Sequence, residues 1–162
     1  MRFSTATAAV ALTYAVAGVL AADIPVKVGD GGSTFTPSSI NATSGDVVVF
    51  QFVGGNHTAT QSTFDNPCTK KGDGVDSGFQ SIAQGASQQE WRVPVNGSDP
   101  LWFYCAQANH CQQGMVFAVN APADKTFDAF QSKAKEGNGA MGLTASAVSL
   151  LSVAGLALGL AF

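Results

Sequence analysis

Charged residues are scarce in this chain of 162 residues, at 12% of the sequence. No charge occurs between Phe3 and Ala22, and none occurs from Gly137 to Phe162. The eight basic residues form no run, and eleven acidic residues outnumber them. This balance excludes the basic surface that binding to DNA or RNA requires, so we expect no nucleic-acid partner.

Histidine and cysteine are also rare. The chain has two histidines, His57 and His110, so a metal centre can draw on at most two imidazoles. This number excludes multinuclear metal centres that are built on many histidine ligands. Three cysteines allow one disulfide and leave one thiol over, which is a reactive liability in a secreted protein unless the thiol has a use.

The uncharged N-terminal stretch has the pattern of a secretory signal peptide. Met1-Arg2 precedes an apolar run, and Val19-Leu20-Ala21 offers small residues for cleavage after Ala21 or Ala22. The apolar run is short and interrupted by threonine, which disfavours a membrane-spanning segment. We therefore expect residues 1–21 to be removed during secretion. Three glycosylation sequons, at Asn41, Asn56 and Asn96, agree with that route, and Asn41 and Asn96 are the favoured acceptors.

The C-terminal stretch is typical of a signal for attachment of a glycosylphosphatidylinositol (GPI) anchor. Asn138-Gly139-Ala140 are small residues, and an apolar tail follows to Phe162. We expect residues 139–162 to be the removed propeptide and Asn138 to be the lipid acceptor. The alternative is a single membrane-spanning anchor, which usually ends in a basic cytoplasmic stop that this tail lacks. Either form predicts an extracellular protein held at the plasma membrane or cell wall.

The body of the chain predicts an all-β domain over residues 22–122. Short apolar or alternating runs alternate with clusters of glycine, proline, asparagine and aspartate, which favours a sandwich or barrel. Five runs are the clearest strands: Ile24–Val28, Asp46–Val53, Ser87–Val95, Leu101–Cys105 and Met115–Asn120. The stretch Thr60–Ile82 predicts a long loop with a brief strand near Phe79–Ile82.

A short helix is predicted in the segment 123–138, which also forms the linker to the tail. Asp124 is a candidate cap, and Phe127, Phe130 and Ala134 fall on one stripe of the helix. Lys133 and Lys135 lie near its C-terminus, where the helix dipole favours positive charge.

The sequence also predicts a metal site. Cys105, His110 and Met115 are spaced five residues apart on a turn between two predicted strands, and His57 follows Gly54-Gly55. Two imidazoles, one thiolate and a weak axial thioether are the ligands of a mononuclear type 1 (blue) copper centre. Each residue alone has an ordinary alternative: a surface histidine, a core methionine or a small buried cysteine.

The disulfide pairing stays open on these grounds. Pairing Cys68 with Cys111 leaves the Cys105 thiolate available, whereas pairing either of them with Cys105 destroys the proposed metal site. Only the function assumed for Cys105 favours the first arrangement.

The stretch from about Val26 to Asn120 resembles a cupredoxin. It is most similar to the phytocyanin branch and to cupredoxin-like proteins of fungal cell surfaces, often described as extracellular serine-rich proteins. The resemblance is carried by Phe35-Thr36-Pro37, Ala42-Thr43-Ser44-Gly45-Asp46, Asn56-His57-Thr58, Asp76-Ser77-Gly78-Phe79, Trp102-Phe103-Tyr104-Cys105 and His110-Cys111-Gln112-Gln113-Gly114-Met115. It implies a Greek-key β-sandwich, a copper ion bound by His57, Cys105, His110 and Met115, and the disulfide Cys68–Cys111.

Two features depart from that pattern. Many phytocyanins have glutamine at the axial position where this chain has Met115, and the segment Ser132–Ser146 is shorter and poorer in serine than a fungal stalk.

The resemblance implies one-electron transfer with a redox partner protein or a small redox molecule. The alternatives are copper binding or buffering at the cell surface and a structural cell-wall domain. An oxidase with a cluster of several copper ions is excluded, because both histidines are already assigned.

Overall fold

The computed structural model describes residues 20–83 and 86–137. The predicted signal peptide, the acceptor Asn138 and the apolar tail lie outside this range, apart from residues 20 and 21. No helix in the described part is long and apolar enough to cross a membrane.

The described residues form ten strands and one helix. In chain order they are β1 (Asp23–Val28), β2 (Phe35–Thr36), β3 (Ser39–Ile40), β4 (Val47–Phe52), β5 (Gly55–His57), β6 (Thr60–Ser62), β7 (Gln80–Ile82), β8 (Gln89–Pro94), β9 (Leu101–Tyr104), β10 (Val116–Val119) and α1 (Phe127–Glu136). Two four-stranded sheets have the orders β2-β1-β4-β8 and β3-β10-β9-β6, and β5 pairs with β7. The predicted all-β class with one short helix is confirmed.

The two large sheets face each other across one apolar core. Val26 and Phe50 from the first sheet pack with Phe103 and Phe117 from the second. The ring of Phe50 lies 5.3 Å from the rings of both Phe103 and Phe117, measured between centroids. This interleaving of rings defines the sandwich and fixes the ends of the strands that carry the site.

Strands β9 and β10 are buried on both faces. Phe103 and Phe117 point into the sandwich, whereas Trp102 and Ala118 form a second cluster with Phe130 of the helix. The Trp102 and Phe130 rings lie 4.7 Å apart. Double burial explains why these two strands are nearly continuous apolar runs in the sequence instead of alternating ones.

The five clearest predicted strands are present, with ends that differ by one or two residues. Two details of the prediction were wrong. Thr60–Ser62 is a strand and not loop, pairing with β9 from Tyr104 to Trp102; its polar residues give no apolar alternation to detect. The helix cap is Thr126 and not Asp124, because the Thr126 hydroxyl accepts the Ala129 amide at 3.2 Å.

Candidate metal centre

Three of the predicted ligands come from the connection between β9 and β10. Cys105 directly follows β9, and Met115 directly precedes β10. The Cys105 amide donates to the Met115 carbonyl at 3.1 Å, so the two residues face each other across the base of the loop. The strands are antiparallel and buried, which holds both ends of this ligand loop in place.

Turns inside the ligand loop bring His110 close to the residues at the base of the loop. The His110 amide donates to Gln107 at 2.9 Å, and the Met115 amide donates to the His110 carbonyl at 2.9 Å. Gly114 has a positive φ of 96° at the close of the turn, a conformation that favours glycine.

His57 reaches the same place from the other side, at the end of β5. The Cys105 Sγ lies 3.7 Å from His57 Nδ1 and 3.5 Å from His110 Nδ1. The three candidate ligand atoms all lie within 4.8 Å of one another. A thiolate and two imidazole nitrogens at this separation fit a single ion of a metal that accepts both sulfur and nitrogen ligands, such as copper or zinc.

The fourth predicted ligand, Met115, ends the ligand loop opposite Cys105. Its side chain is almost fully buried and packs in the same core cluster as Cys105. Met115 therefore contributes to the sandwich core at the base of the ligand loop. Its role as an axial ligand stays a prediction.

The two histidines differ in exposure. His57 is only 5% exposed, whereas His110 is half-buried at the edge of the loop. The neighbours Ala106 and Ala108 are exposed. One imidazole is therefore enclosed by protein and the other reaches the surface among small side chains.

Burial shifts the titration of two of these groups in the metal-free protein. Burial raises the pKa of the Cys105 thiol above its usual range, and hydrogen bonds from the amides of Thr58 and Gln107 offset this only in part. Burial, and then the charge of His110, lower the pKa of His57. The apo site therefore holds a protonated thiol beside a neutral His57 near neutral pH.

Hydrogen bonds that the sequence analysis did not predict join the two ligand segments. The Thr58 amide donates to Cys105 Sγ at 3.4 Å, and the Thr58 hydroxyl accepts from the Ala106 amide at 2.8 Å. The Thr60 hydroxyl donates to Asp76 at 3.0 Å, so the Thr58 hydroxyl donates to Thr60 Oγ1 across 2.8 Å. These linked hydrogen bonds, made by residues that are not metal ligands themselves, orient the Cys105 sulfur. Thr58 and Asp76 belonged to the motifs of the resemblance, but the sequence analysis assigned no role to either residue.

The disulfide joins Cys68 and Cys111, as the resemblance implied. Cys111 directly follows His110, and Cys68 lies in the loop after β6. Their sulfurs therefore tie the ligand loop to a neighbouring loop 43 residues away in sequence. Cys105 is the free cysteine and is buried.

The three sequons lie in different surroundings. Asn41 and Asn96 are exposed, whereas Asn56 is half-buried and its amide nitrogen donates to Gln107 at 2.9 Å. Exposure agrees with the expectation that Asn41 and Asn96 are the favoured acceptors. Occupancy of all three stays a prediction.

Two curated proteins of the fungus Arthroderma benhamiae are similar to this chain. An "Extracellular serine-rich protein" is 40% identical over 120 residues, covering 73% of this chain and 47% of that protein. A "Probable GPI-anchored cupredoxin-1" is 37% identical over 131 residues, covering 78% of this chain and 68% of that protein. The chain thus spans about half the length of the first relative and two thirds of the second. No protein-family model matches.

Solved structures with a similar fold include a pseudoazurin and an auracyanin. Pseudoazurin from Hyphomicrobium denitrificans is 22% identical, with a TM-score of 0.45 over 60% of this chain and 73% of its own. Auracyanin A from Chloroflexus aurantiacus, described as a "blue" copper protein, is 11% identical, with a TM-score of 0.42 over 60% of this chain and 95% of its own.

Proposed function

The chain belongs to the cupredoxin family, and on that premise we propose that it binds one copper ion and exchanges single electrons at the cell surface. The observation that carries the proposal is the cluster of His57, Cys105 and His110, whose ligand atoms lie within 4.8 Å of one another. Bound copper would supply a couple between copper(II) and copper(I). His57, Cys105 and His110 would hold it, with Met115 as a weak axial ligand.

The surrounding protein supports electron transfer because it holds these ligands rigidly. Cys105 is anchored by antiparallel strands and by the Thr58 amide, and the disulfide holds the residue after His110. A site that moves little needs little reorganisation when the charge of its ion changes. The half-buried His110, flanked by the exposed Ala106 and Ala108, supplies an edge where a redox partner protein or a small redox molecule can approach.

Enzymatic oxidation by a multinuclear copper cluster has no support in this chain. Both of its histidines lie in the mononuclear cluster, and no third is available for further copper ions. The proposed activity is therefore electron transfer without chemical conversion of a bound substrate.

The predicted terminal signals and the names of the relatives support a cell-surface location. One relative is named extracellular and the other GPI-anchored. We place this chain at the same location, held by a lipid anchor at Asn138.

A copper titration of the purified protein tests the site. We expect one copper(II) per chain, an intense visible band from charge transfer between thiolate and copper, and a narrow hyperfine splitting in the paramagnetic resonance spectrum. A colourless copper adduct with wide splitting would contradict the type 1 assignment. Stopped-flow electron exchange with small redox mediators then separates the functions, because a copper buffer would exchange the metal faster than it exchanges electrons.

A further inference from the structure

The edge of His57 that points away from Cys105 lies against glycine backbone. Gly29 and Gly55 have positive φ angles of 81° and 74°. A Cβ atom would come within 2.7 Å of His57 Nε2 at Gly55 and within 2.9 Å of it at Gly29. Any side chain at either position would collide with the imidazole, so this wall of the site is built from main chain alone.

A cavity of about 420 Å³ opens on this same edge of His57. Five of its lining residues are glycines, and within the described part of the chain its other lining residues are Asp30, Val53 and His57. We call it the glycine cavity. Its volume lies in the range of about 300–1,000 Å³ that is usual for small-molecule sites.

The Nε2 atom of His57, beside this cavity, makes no hydrogen bond with a described residue. His57 is 5% exposed, and its only hydrogen-bonding contact with the described residues runs from Nδ1 to Cys105 Sγ. When Nδ1 is bound to a metal, Nε2 carries the proton and needs an acceptor. Metal-bound histidines almost always donate this proton to a carboxylate, a carbonyl or water. Among the described residues none accepts it.

We propose that the glycine cavity binds a small neutral molecule with an oxygen acceptor, of the phenol or hydroquinone class, which accepts the proton of His57 Nε2. This inference rests on the proposed function, because a metal on Nδ1 is what places the proton on Nε2. The bound molecule would lie against a ligand of the metal.

The lining selects the class of molecule. No lysine or arginine lines the cavity among the described residues, and the Asp30 carboxylate disfavours an anion. Lys27 lies 3.2 Å from Asp30, but it is not part of the lining. The methylene groups of the glycines and the Val53 side chain offer apolar contact to a small ring.

Nuclear magnetic resonance of the copper(I) protein labelled with nitrogen-15 tests the assignment, with hydroquinone as the probe. Copper(I) is diamagnetic, so the signals of residues near the metal stay visible while the probe binds. We expect saturable shifts of the amides of Gly29, Gly31 and Gly55 and of the His57 Nε2 proton. The amide of Gly97, which does not line the cavity, should not shift.

Two further probes and one pair of variants sharpen the test. Benzoate, an anion of similar size, should bind at least tenfold more weakly, and toluene, which lacks an acceptor, should not shift the Nε2 proton. Val53→Phe should fill the cavity and weaken hydroquinone binding at least tenfold. The matched control Val75→Phe changes an exposed valine outside the cavity and should bind as the unaltered protein does.

The outcomes separate the two proposals. Protein that takes up no copper would overturn the proposed function. Copper-loaded protein whose cavity glycines do not respond to hydroquinone would overturn the cavity assignment alone. Benzoate binding as tightly as hydroquinone, or toluene shifting the Nε2 proton equally, would overturn the proposed class of molecule.

Discussion

The side-chain amide of Asn56 donates to the side-chain oxygen of Gln107 across 2.9 Å, linking the residue before His57 to the loop that carries His110. The two residues are 51 positions apart in the sequence. Asn56 is half-buried, and its own Oδ1 is buried without a hydrogen-bond partner among the described residues. The bond therefore adds to the contacts that hold the two histidine-bearing segments together.

Gln107→Ala should weaken the contact between the two histidine-bearing segments. Removing the acceptor leaves the Asn56 donor unpaired, and we expect the free energy of unfolding to fall by about 1–2 kcal/mol. Copper affinity should fall about tenfold, the lower end of the range for outer partners of a metal site. Competition with a chelator measures the affinity, and a double-mutant cycle with Asn56→Ala isolates the pair. Additive losses in the cycle would mean that the bond does not couple the segments.

Replacing the free cysteine should affect copper binding, whereas replacing the disulfide cysteines should affect stability. Cys105→Ser should abolish the blue colour and most of the copper affinity, because a hydroxyl does not replace a soft thiolate. Replacing Cys68 and Cys111 together by alanine should leave the colour and lower stability by about 2–4 kcal/mol. Absorption spectra and chemical unfolding measure the two effects. Loss of the colour in the double variant would show that the disulfide itself positions His110.

The sequence predicted those site residues that lie close together in the chain, and it missed roles that depend on contacts between distant segments. Cys105, His110 and Met115 share one connection between two apolar runs, so their spacing sufficed to propose them. His57 was found because it is one of only two histidines. The Thr58 hydroxyl and Gln107 could not be found, since their roles arise only when segments about 50 residues apart meet.

The fold was predictable to a similar depth. Strands such as Val47–Phe52 and Leu101–Tyr104 are long and apolar, whereas Thr60–Ser62 is polar and forms a strand only because it pairs with β9. One face of β9 packs in the sandwich core and the other packs against Phe130. The choice between the two faces depends on where the helix packs, and the local sequence pattern does not predict that.

Copper binding should release a proton from Cys105. Burial raises the pKa of this thiol, so the apo protein holds it protonated at neutral pH, while the metal requires the thiolate. The lowered pKa of His57 keeps its ring neutral, so this residue releases no further proton when copper binds. Between about pH 7.5 and 8.5, apparent affinity should rise roughly tenfold per pH unit. Calorimetry in buffers of different ionisation enthalpy counts the proton, and a heat independent of buffer would mean that apo Cys105 is already ionised.

Asp46 should stabilise the domain in a manner that depends on pH. Its carboxylate accepts the amides of Thr43 and Ala22, which lower its pKa. A lowered folded pKa gives stability that is present above the unfolded value, about 3.9, and is lost as the pH falls through the folded value. Asp46→Asn should therefore be less stable at pH 7 and approach the unaltered protein near pH 2.

Urea unfolding at several pH values measures this difference. Asp73→Asn is the matched control, because Asp73 is exposed and its only ion pair with the described residues, to Lys71, is long at 3.9 Å. It should show little change at any pH. A deficit for Asp46→Asn that stays constant into acid would mean that the loss comes from packing and not from the charge.

Met115→Gln should keep the copper and its colour but lower the reduction potential. A thioether is a soft, weak donor that favours copper(I), whereas an amide oxygen favours copper(II). Because Met115 is also a core residue, a second variant must separate the roles. Met115→Leu is similar in volume, should cost less than about 1.5 kcal/mol, and removes the donor altogether. Its potential should therefore rise where that of Met115→Gln falls. Voltammetry of the three proteins in one buffer decides between the roles: equal potentials would show that Met115 only packs beneath the loop.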